Sequence, residues 1–305
     1  MISARLMGVA GLVGLGAIVV PAQSQAPVTF AAKTDTVSVY ATVQHRDGRL
    51  VPDLTRDDFD VRDSGRPVEI TVFSNEAQPI TVVVLLDMSG SMADRLLRVR
   101  EGALHFVRAL RQPDRARIGT FGDEIAISPW LTGDKVRLER VLREELWPGG
   151  ETPLWGALDA ALASLAGEDG RRVVLALTDG AASNVLPGYD VGQGQVERRV
   201  LDGDYMIYAI GLARVAITPT TSLLPALDMA LVRLVERTGG AHFALATNDD
   251  LEATFSRVAE ELRRQYLIGF VGTASDGGRR KIDVRTRNRD LRVRARDSYV
   301  QRGSR

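Results

Sequence analysis

The chain has 305 residues, enough for one large domain or two modest ones. Lysine plus arginine and aspartate plus glutamate number 39 each, so net charge gives no argument for a nucleic-acid or anionic-membrane partner. The absence of cysteine excludes disulfides, thiolate metal sites and cysteine nucleophiles. The three histidines are scattered along the sequence and form no metal-binding pair at helical spacing.

The amino-terminal segment predicts export. Residues 1–26 have the features of a secretory signal peptide: Arg5 supplies a positive charge, residues 6–20 are apolar or glycine, and Ala22 and Ala26 end two candidate cleavage sites. The apolar run is shorter than the ~20 residues that a membrane span needs. We therefore expect a periplasmic or extracellular protein. An uncleaved leader, the alternative, is the only case in which membrane association is expected.

Two β-rich segments flank the centre of the chain. Residues 33–78 alternate apolar and polar side chains between Val37 and Val43, and residues 265–300 again contain short strand-like runs separated by turns. Each flank is small for an independent domain. We hypothesise that the two flanks pair into one small β-sandwich, with the central domain inserted between them.

Residues 80–264 alternate strands and helices. Ile80–Leu86 is a continuous apolar run, as expected for a central parallel strand covered on both faces. Repeated βα units predict a doubly wound, mostly parallel sheet with helices on both faces, an α/β fold of the Rossmann-like class. Further strands are expected at 117–121, 124–128, 172–177 and 205–210, and helices at 95–111, 154–166, 223–237 and 249–264.

Oxygen-bearing side chains follow three of the predicted strands or turns. Asp87, Ser89 and Ser91 come directly after the first apolar strand, Thr152 follows a Gly-Gly turn, and Asp179 follows the strand that ends at residue 177. Because the carboxyl ends of parallel strands meet at one sheet edge, these residues should converge there. Carboxylates and hydroxyls are hard ligands, which predicts Mg²⁺ or Mn²⁺ rather than zinc or copper.

The order D-x-S-G-S-M, then G-G-x-T-P-L, then L-T-D-G resembles the metal-ion-dependent adhesion site of von Willebrand factor A domains, including integrin inserted domains. That resemblance implies direct coordination by Ser89, Ser91 and Thr152, with Asp87 and Asp179 close by, often through water. Residues 37–65, 238–243 and 261–270 resemble the bacterial "VWFA-related" family, so the likeness covers essentially the whole mature chain.

A second ion is not expected, although Asp94 is similar to a residue of the adjacent metal site in integrin β subunits. Arg95 occupies the position of that site's next acidic residue. The strongly basic run Arg279–Arg296 has two interpretations, a solvated strand face, which we favour, and a polyanion site. Trp147 and Trp155 flank the Thr152 loop, and either is a candidate for a partner surface.

The function predicted from these observations is a non-enzymatic adhesion or assembly module. It would hold the ion and bind, through it, an Asp or Glu of a protein partner. One alternative is a metal-assisted hydrolase or phosphotransferase, but the sequence has no G-x-S-x-G elbow and no P-loop. The other is a purely structural scaffold.

Overall fold

The computed structural model describes residues 36–180, 191–216, 222–224, 227–245, 251–272 and 278–300. The predicted signal peptide, residues 1–26, lies outside the described residues. Across the part of the chain that is described, no helix combines the length and the apolar composition needed to cross a membrane.

The described elements are assigned as follows. The strands are β1 (Thr36–Gln44), β2 (Phe59–Asp63), β3 (Arg66–Pro67), β4 (Ile70–Ser74), β5 (Ile80–Asp87), β6 (Arg115–Phe121), β7 (Ile125–Ile127), β8 (Arg171–Thr178), β9 (Tyr205–Leu212), β10 (Arg214–Ala216), β11 (Ser222–Leu224), β12 (His242–Leu245), β13 (Tyr266–Val271), β14 (Arg279–Thr286), β15 (Arg292–Arg294) and β16 (Ser298–Val300). The helices are α1 (Leu96–Ala109), α2 (Lys135–Glu144), α3 (Leu154–Ser164), α4 (Gln193–Gly203), α5 (Met229–Arg237) and α6 (Leu251–Arg263), with 3-10 turns at Arg56–Asp58 and Gly90–Arg95.

The central sheet has the strand order β12-β9-β8-β5-β6-β7. Every neighbouring pair is parallel except β6 and β7. The chain leaves β5 for β6 on one side and then crosses to β8 on the other, so the order reverses between β5 and β8. In open α/β sheets, ligands bind beyond the carboxyl ends of the strands at this reversal.

Helices cover both faces of the sheet, which confirms the predicted fold class. Every residue of β5 is buried. Val82 and Val84 pack in one core with α1, α2 and α6, whereas Val83 and Leu85 pack in a second core with α3, α4 and α5. Successive side chains of a strand point to opposite faces, so a strand covered on both sides needs a continuous apolar run.

The two β-rich flanks pair with each other. β1 pairs antiparallel with β13, and β13 pairs with β4, in a sheet of order β15-β1-β13-β4. A second sheet has the order β16-β14-β2-β3. Both sheets contribute to one apolar core, whose members include Val39, Phe59, Val61, Tyr266, Phe270 and Val284. Both ends of the described chain thus build a small β-sandwich, as the fold prediction expected.

Buried polar side chains connect the sandwich to the α/β domain. Glu261 of α6 accepts a hydrogen bond from the Tyr208 hydroxyl of β9 (2.7 Å) and pairs with Arg294 of β15. Gln265, between α6 and β13, donates to Thr42 Oγ1 of β1 (2.8 Å). Glu261, Gln265, Tyr208 and Thr42 are all buried. Burial is tolerated because each group has a partner, and the shared bonds couple the two parts of the molecule.

The basic run Arg279–Arg296 is not simply a solvent-exposed strand face, because several of its arginines form ion pairs within the fold. Its arginines form ion pairs with acids from other elements, namely Arg279–Asp202, Arg280–Asp63, Arg294–Glu261 and Arg296–Asp204. Asp63 and Glu261 are almost fully buried in these pairs. Much of the local charge asymmetry is therefore neutralised inside the fold.

Several elements differ from the sequence prediction, and they include strand β12 at the edge of the central sheet, which was not predicted. The helix expected over 223–237 begins only at Met229, because residues 222–224 form strand β11. Helices α2 and α4 were not predicted. Both are rich in charged and polar residues and bury few side chains, so their apolar signal in the sequence is weak.

Candidate metal centre

The first loop, residues 87–91, brings a carboxylate and two hydroxyls together. Asp87 ends β5, and its Oδ1 accepts a hydrogen bond from the Ser89 backbone N–H at 2.9 Å. Ser89 Oγ lies 3.2 Å from Ser91 Oγ. Asp87 and Ser89 are buried, whereas Ser91 is exposed. The polar cluster therefore extends from the sheet edge to solvent.

The second loop, residues 149–152, is bonded to the first through its backbone. The Gly149 N–H donates to Met88 O at 2.7 Å, and the Gly90 N–H donates to Gly150 O at 3.1 Å. Thr152 is buried two residues before α3 begins. These reciprocal bonds place the Thr152 loop directly against the loop that carries Asp87.

Close contact between loops requires glycine at two positions. A methyl group at Gly122, in the turn after β6, would lie 2.4 Å from Gly149 O. Gly150 has φ +77°, and a methyl group there would lie 2.5 Å from the Asp123 backbone nitrogen. That nitrogen donates to Gly149 O at 3.0 Å. Any side chain at either glycine would push the turn and the second loop apart.

The third loop, residues 178–180, orients Asp87 from the neighbouring strand. Thr178 Oγ1 donates to Asp87 Oδ2 at 2.6 Å and accepts from the Gly180 N–H at 3.1 Å. Leu86 lies opposite Leu177 in the parallel ladder, so the next residues of β5 and β8 meet. Asp179 follows and is fully buried.

Burial is the main influence on Asp87. It raises the pKa of this carboxyl, hydrogen bonds from Ser89 and Thr178 lower it, and the charge of Asp179 raises it further. Asp87 and Asp179 are therefore close enough to repel each other. Among the described residues, no cationic side chain is one of the groups that set this pKa. The pair of acids has the electrostatic environment that favours binding of a cation.

The donor set fits a hard divalent ion. Two oxygens at right angles, each ~2.1 Å from an octahedral ion, would be separated by about 3.0 Å. The 3.2 Å between the two serine hydroxyls is close to that value. No group of three or more His, Cys, Asp or Glu side chains with a metal-binding arrangement occurs in the described ranges. A set of two carboxylates completed by hydroxyls suits Mg²⁺ better than zinc.

Arg95 braces the turn that follows the first loop. Its guanidinium donates to Ala213 O at 2.8 Å and to Leu212 O at 3.4 Å, at the carboxyl end of β9. Asp94 is exposed beside it. A fixed cation at this position would repel a second metal ion, and the expectation of a single ion stays a prediction.

The structure brings the predicted residues to one sheet edge. Asp87, Ser89 and Ser91 share the first loop, Thr152 stands on the loop bonded to it, and Asp179 interacts with Asp87 electrostatically. Their role as metal ligands stays a prediction.

Sequence reasoning missed two contributors to this geometry, Thr178 and Gly122. Thr178 was detectable in principle. It is the hydroxyl residue that ends the strand adjacent to β5, directly before the predicted acid. Gly122 carried no such signal, because a short turn after a strand commonly contains glycine.

The two tryptophans next to the second loop lie in different environments. Trp155 of α3 is buried in the core, so it cannot line a partner surface without rearrangement of the helix. Trp147 is 79% exposed and therefore remains a candidate.

The doubly wound sheet, with an acid-and-hydroxyl cluster at its strand-order reversal, defines the class of this domain as a Rossmann-like α/β domain. Residues 82–181 match the family model of the von Willebrand factor type A domain. The matched range includes all five predicted ligands. The chain therefore contains a von Willebrand factor type A domain. A search of curated proteins finds no relative that matches the chain.

Solved structures with a similar arrangement have low sequence identity. An aerotolerance-related membrane protein from Bacteroides fragilis is 15% identical, with a TM-score of 0.47 over 61% of this chain and 98% of that chain. The von Willebrand factor domain of the type V pili tip protein Mfa5 from Porphyromonas gingivalis is 14% identical, with a TM-score of 0.47 over 60% and 95%. A von Willebrand factor type A protein from Catenulispora acidiphila is 9% identical, with a TM-score of 0.47 over 91% and 76%. With TM-scores below 0.5, the fold assignment depends on the strand order and the family match.

Proposed function

We propose that the α/β domain is a metal-dependent protein-binding module. Asp87, Ser89, Ser91, Thr152 and Asp179 would hold one Mg²⁺ or Mn²⁺ ion. The bound ion would supply a positive charge that attracts an Asp or Glu side chain of a protein partner. The observation that supports this proposal most directly is the buried pair of acids at the sheet edge, of which Asp87 is hydrogen-bonded to Ser89, whose hydroxyl lies 3.2 Å from that of Ser91.

Neighbouring residues hold the proposed ligands in position without an ion. Thr178 and the Ser89 N–H fix both oxygens of Asp87, so this carboxylate is oriented before any ion binds. The glycine contacts hold the Thr152 loop against the first loop. Neutral hydroxyls add no negative charge, so part of the charge of the ion would stay uncompensated toward solvent. A partner carboxylate would then be attracted strongly, because the contact is desolvated.

The metal part of the proposal is tested by titration calorimetry with Mg²⁺ and Mn²⁺ on the mature protein. We expect one weak site, lost in Asp87→Asn and in Asp179→Asn. Asp94→Asn is the matched control, since this exposed carboxylate lies on the turn after the first loop but outside the proposed ligand set. Unchanged metal affinity in both ligand variants would refute the assignment.

The partner part is tested separately on an array of short peptides that carry a central Asp or Glu. Binding in Mg²⁺ should disappear in chelator and return when Mg²⁺ is restored. Thr152→Ala should weaken peptide binding more than metal binding, since the resemblance to adhesion sites implies that this residue joins the shell mainly in the engaged state. Peptide binding that persists in excess chelator would favour the scaffold alternative.

The enzyme alternative has its own test. Hydrolysis of generic phosphoester or peptide substrates that disappears in Asp87→Asn would replace the binding proposal by a catalytic one. We propose an exported location on the basis of the leader at residues 1–26. Fractionation of cells that express the full chain would test it, and recovery of the unprocessed protein in the cytoplasm would contradict it.

A further inference from the structure

A small cavity lies where the β-sandwich meets the amino-terminal ends of the central strands. Its volume is about 20 Å³, slightly more than the ~10–15 Å³ that one water molecule needs. Among the residues that line it, Arg171 begins β8, Tyr205 begins β9, Tyr40 lies on β1 of the sandwich, and Arg296 lies between β15 and β16. The candidate metal centre lies at the carboxyl ends of β5 and β8, so the cavity is at the opposite edge of the sheet.

The charged side chains that line the cavity are mostly basic. Arg171, Arg172 and Arg296 contribute three guanidiniums, whereas Asp204 contributes one carboxylate. Asp204 already pairs with Arg296. Three cations and one anion leave a net excess of two positive charges on the described residues of the cavity wall. Such an excess attracts an anion, and the attraction is stronger where bulk water is excluded.

Arg171 is the buried cation of this group. It is 3% exposed, and its guanidinium donates to neutral acceptors, a backbone carbonyl of α6 at 2.5 Å and Gln265 Oε1. The guanidinium lies 5.0 Å from the ring centroid of Tyr40, and burial raises the pKa of this tyrosine, so it stays protonated and supplies no negative charge. Burial lowers the pKa of Arg171, and the charges of Asp114 and Glu261 offset only part of that effect. Because arginine does not lose its proton in proteins, the buried cation needs a further countercharge.

Unsatisfied donors provide a second argument, independent of the charge. The Nε–H groups of Arg171, Arg172 and Arg296 are buried and have no acceptor among the described residues. A buried donor without an acceptor costs stability, so most such groups in proteins are bonded. A halide ion accepts several N–H bonds at once and also supplies negative charge, whereas a water molecule is neutral. Phosphate and sulfate are several times larger than a water molecule and exceed the cavity.

We propose that this cavity binds a small monovalent anion such as chloride, with Arg171, Arg172 and Arg296 as its donors. The ion would contact strand β8 of the central sheet and the segment between β15 and β16 of the sandwich. Its binding would therefore stabilise the junction between the two parts of the molecule. The site is separate from the candidate metal centre and does not depend on the function proposed for it.

The test compares thermal unfolding in sodium chloride and in sodium gluconate at equal ionic strength. Divalent ions are left out, so the metal centre does not contribute, and gluconate is too large for the cavity. A ligand that binds only the folded state raises the melting temperature, so each tenfold increase in chloride above Kd should raise that of wild type by about 3–6 °C. Arg172→Met removes one guanidinium but keeps an unbranched side chain, and it should lose most of this rise. Arg171→Met should lose it too, and Arg172→Met decides the question if the Arg171 variant does not fold.

Arg46→Met is the matched control, because Arg46 is an exposed arginine that pairs with Asp290 and does not line the cavity. It should keep the chloride dependence of wild type. Anomalous diffraction from crystals soaked in bromide should place one ion in the cavity of wild type and none in Arg172→Met. Equal melting of wild type in chloride and gluconate would overturn the inference, and so would a chloride dependence that Arg172→Met retains in full. A cavity that holds only water in the bromide crystals would also overturn it.

Discussion

Glu261 is the residue whose removal should most weaken the junction between the α/β domain and the sandwich. Its side chain is 2% exposed and pairs with Arg294, and it also accepts the hydrogen bond of the buried Tyr208 hydroxyl at 2.7 Å. Burial raises the pKa of Tyr208 well above its usual range, and the neighbouring Glu261 adds to the rise. The tyrosine therefore keeps its proton and needs an acceptor for it.

Glu261→Ala removes that acceptor and leaves the Arg294 guanidinium, which is 25% exposed, without its carboxylate. Breaking a buried ion pair from one side costs about 3–5 kcal/mol. The unsatisfied tyrosine hydroxyl contributes about 1–3 kcal/mol, and this cost overlaps with the first because both groups contact the same carboxylate. We therefore expect a total loss of about 3–5 kcal/mol in the free energy of unfolding. For a chain of this size, the melting temperature would fall by about 6–20 °C.

The adjacent residue of α6 provides the control. Glu260 forms an ion pair with Arg264, at 3.1 Å and i+4 spacing, and both side chains are about half exposed. Such pairs contribute roughly 0.3–0.5 kcal/mol, so Glu260→Ala should melt close to wild type. Glu261→Gln should fall between the two, because an amide oxygen still accepts from Tyr208. Thermal and urea unfolding followed by circular dichroism would measure all three. Equal stability of Glu261→Ala and Glu260→Ala would show that the buried network does not stabilise the junction.

Three further predictions concern the metal loops and the sandwich. Gly122→Ala should cost about 1–3 kcal/mol by overpacking and weaken Mg²⁺ binding, because the added methyl group would lie 2.4 Å from a carbonyl oxygen of the second loop. Gly167→Ala is the control, because a methyl group there meets nothing within 4 Å, and it should change neither stability nor Mg²⁺ affinity. Equal Mg²⁺ affinities of the two glycine variants by calorimetry would contradict the claim that Gly122 positions the second loop. Asp87→Asn should change the stability of the metal-free protein little near neutral pH. The amide avoids the cost of the buried carboxylate, whose pKa burial raises in the folded state, but it offers one acceptor where Ser89 and Thr178 now use two. Wild type alone should gain about 2.7 kcal/mol at Mg²⁺ concentrations 100-fold above Kd, and an equal melting shift in the variant would exclude Asp87 as a ligand. Deletion of residues 266–305 removes β13 and β14, which pair with β1, β2 and β4. Each apolar side chain thereby exposed costs ~1.5–3 kcal/mol, so the truncated protein should lose its cooperative transition, and melting at the wild-type temperature would show that the flanks fold independently.

The sequence determined the elements whose signals are local. The apolar run at Ile80–Leu86 predicted a strand buried on both faces, and the structure places it inside the central sheet. The oxygen-bearing loops each follow a predicted strand or glycine turn. Because parallel strands end at the same sheet edge, this order was enough to predict that Asp87 and Asp179 lie close together.

Only the tertiary structure decided which side chains are buried, because burial depends on residues distant in sequence. Trp147 and Trp155 are the same residue type and flank the same loop, yet Trp147 is exposed and Trp155 lies in the core. Glu261 looks like any surface acid of an amphipathic helix, and it is buried because Arg294 and Tyr208 reach it from the sandwich and the central sheet. These contacts join positions many residues apart, and no periodicity within a single helix or strand encodes them.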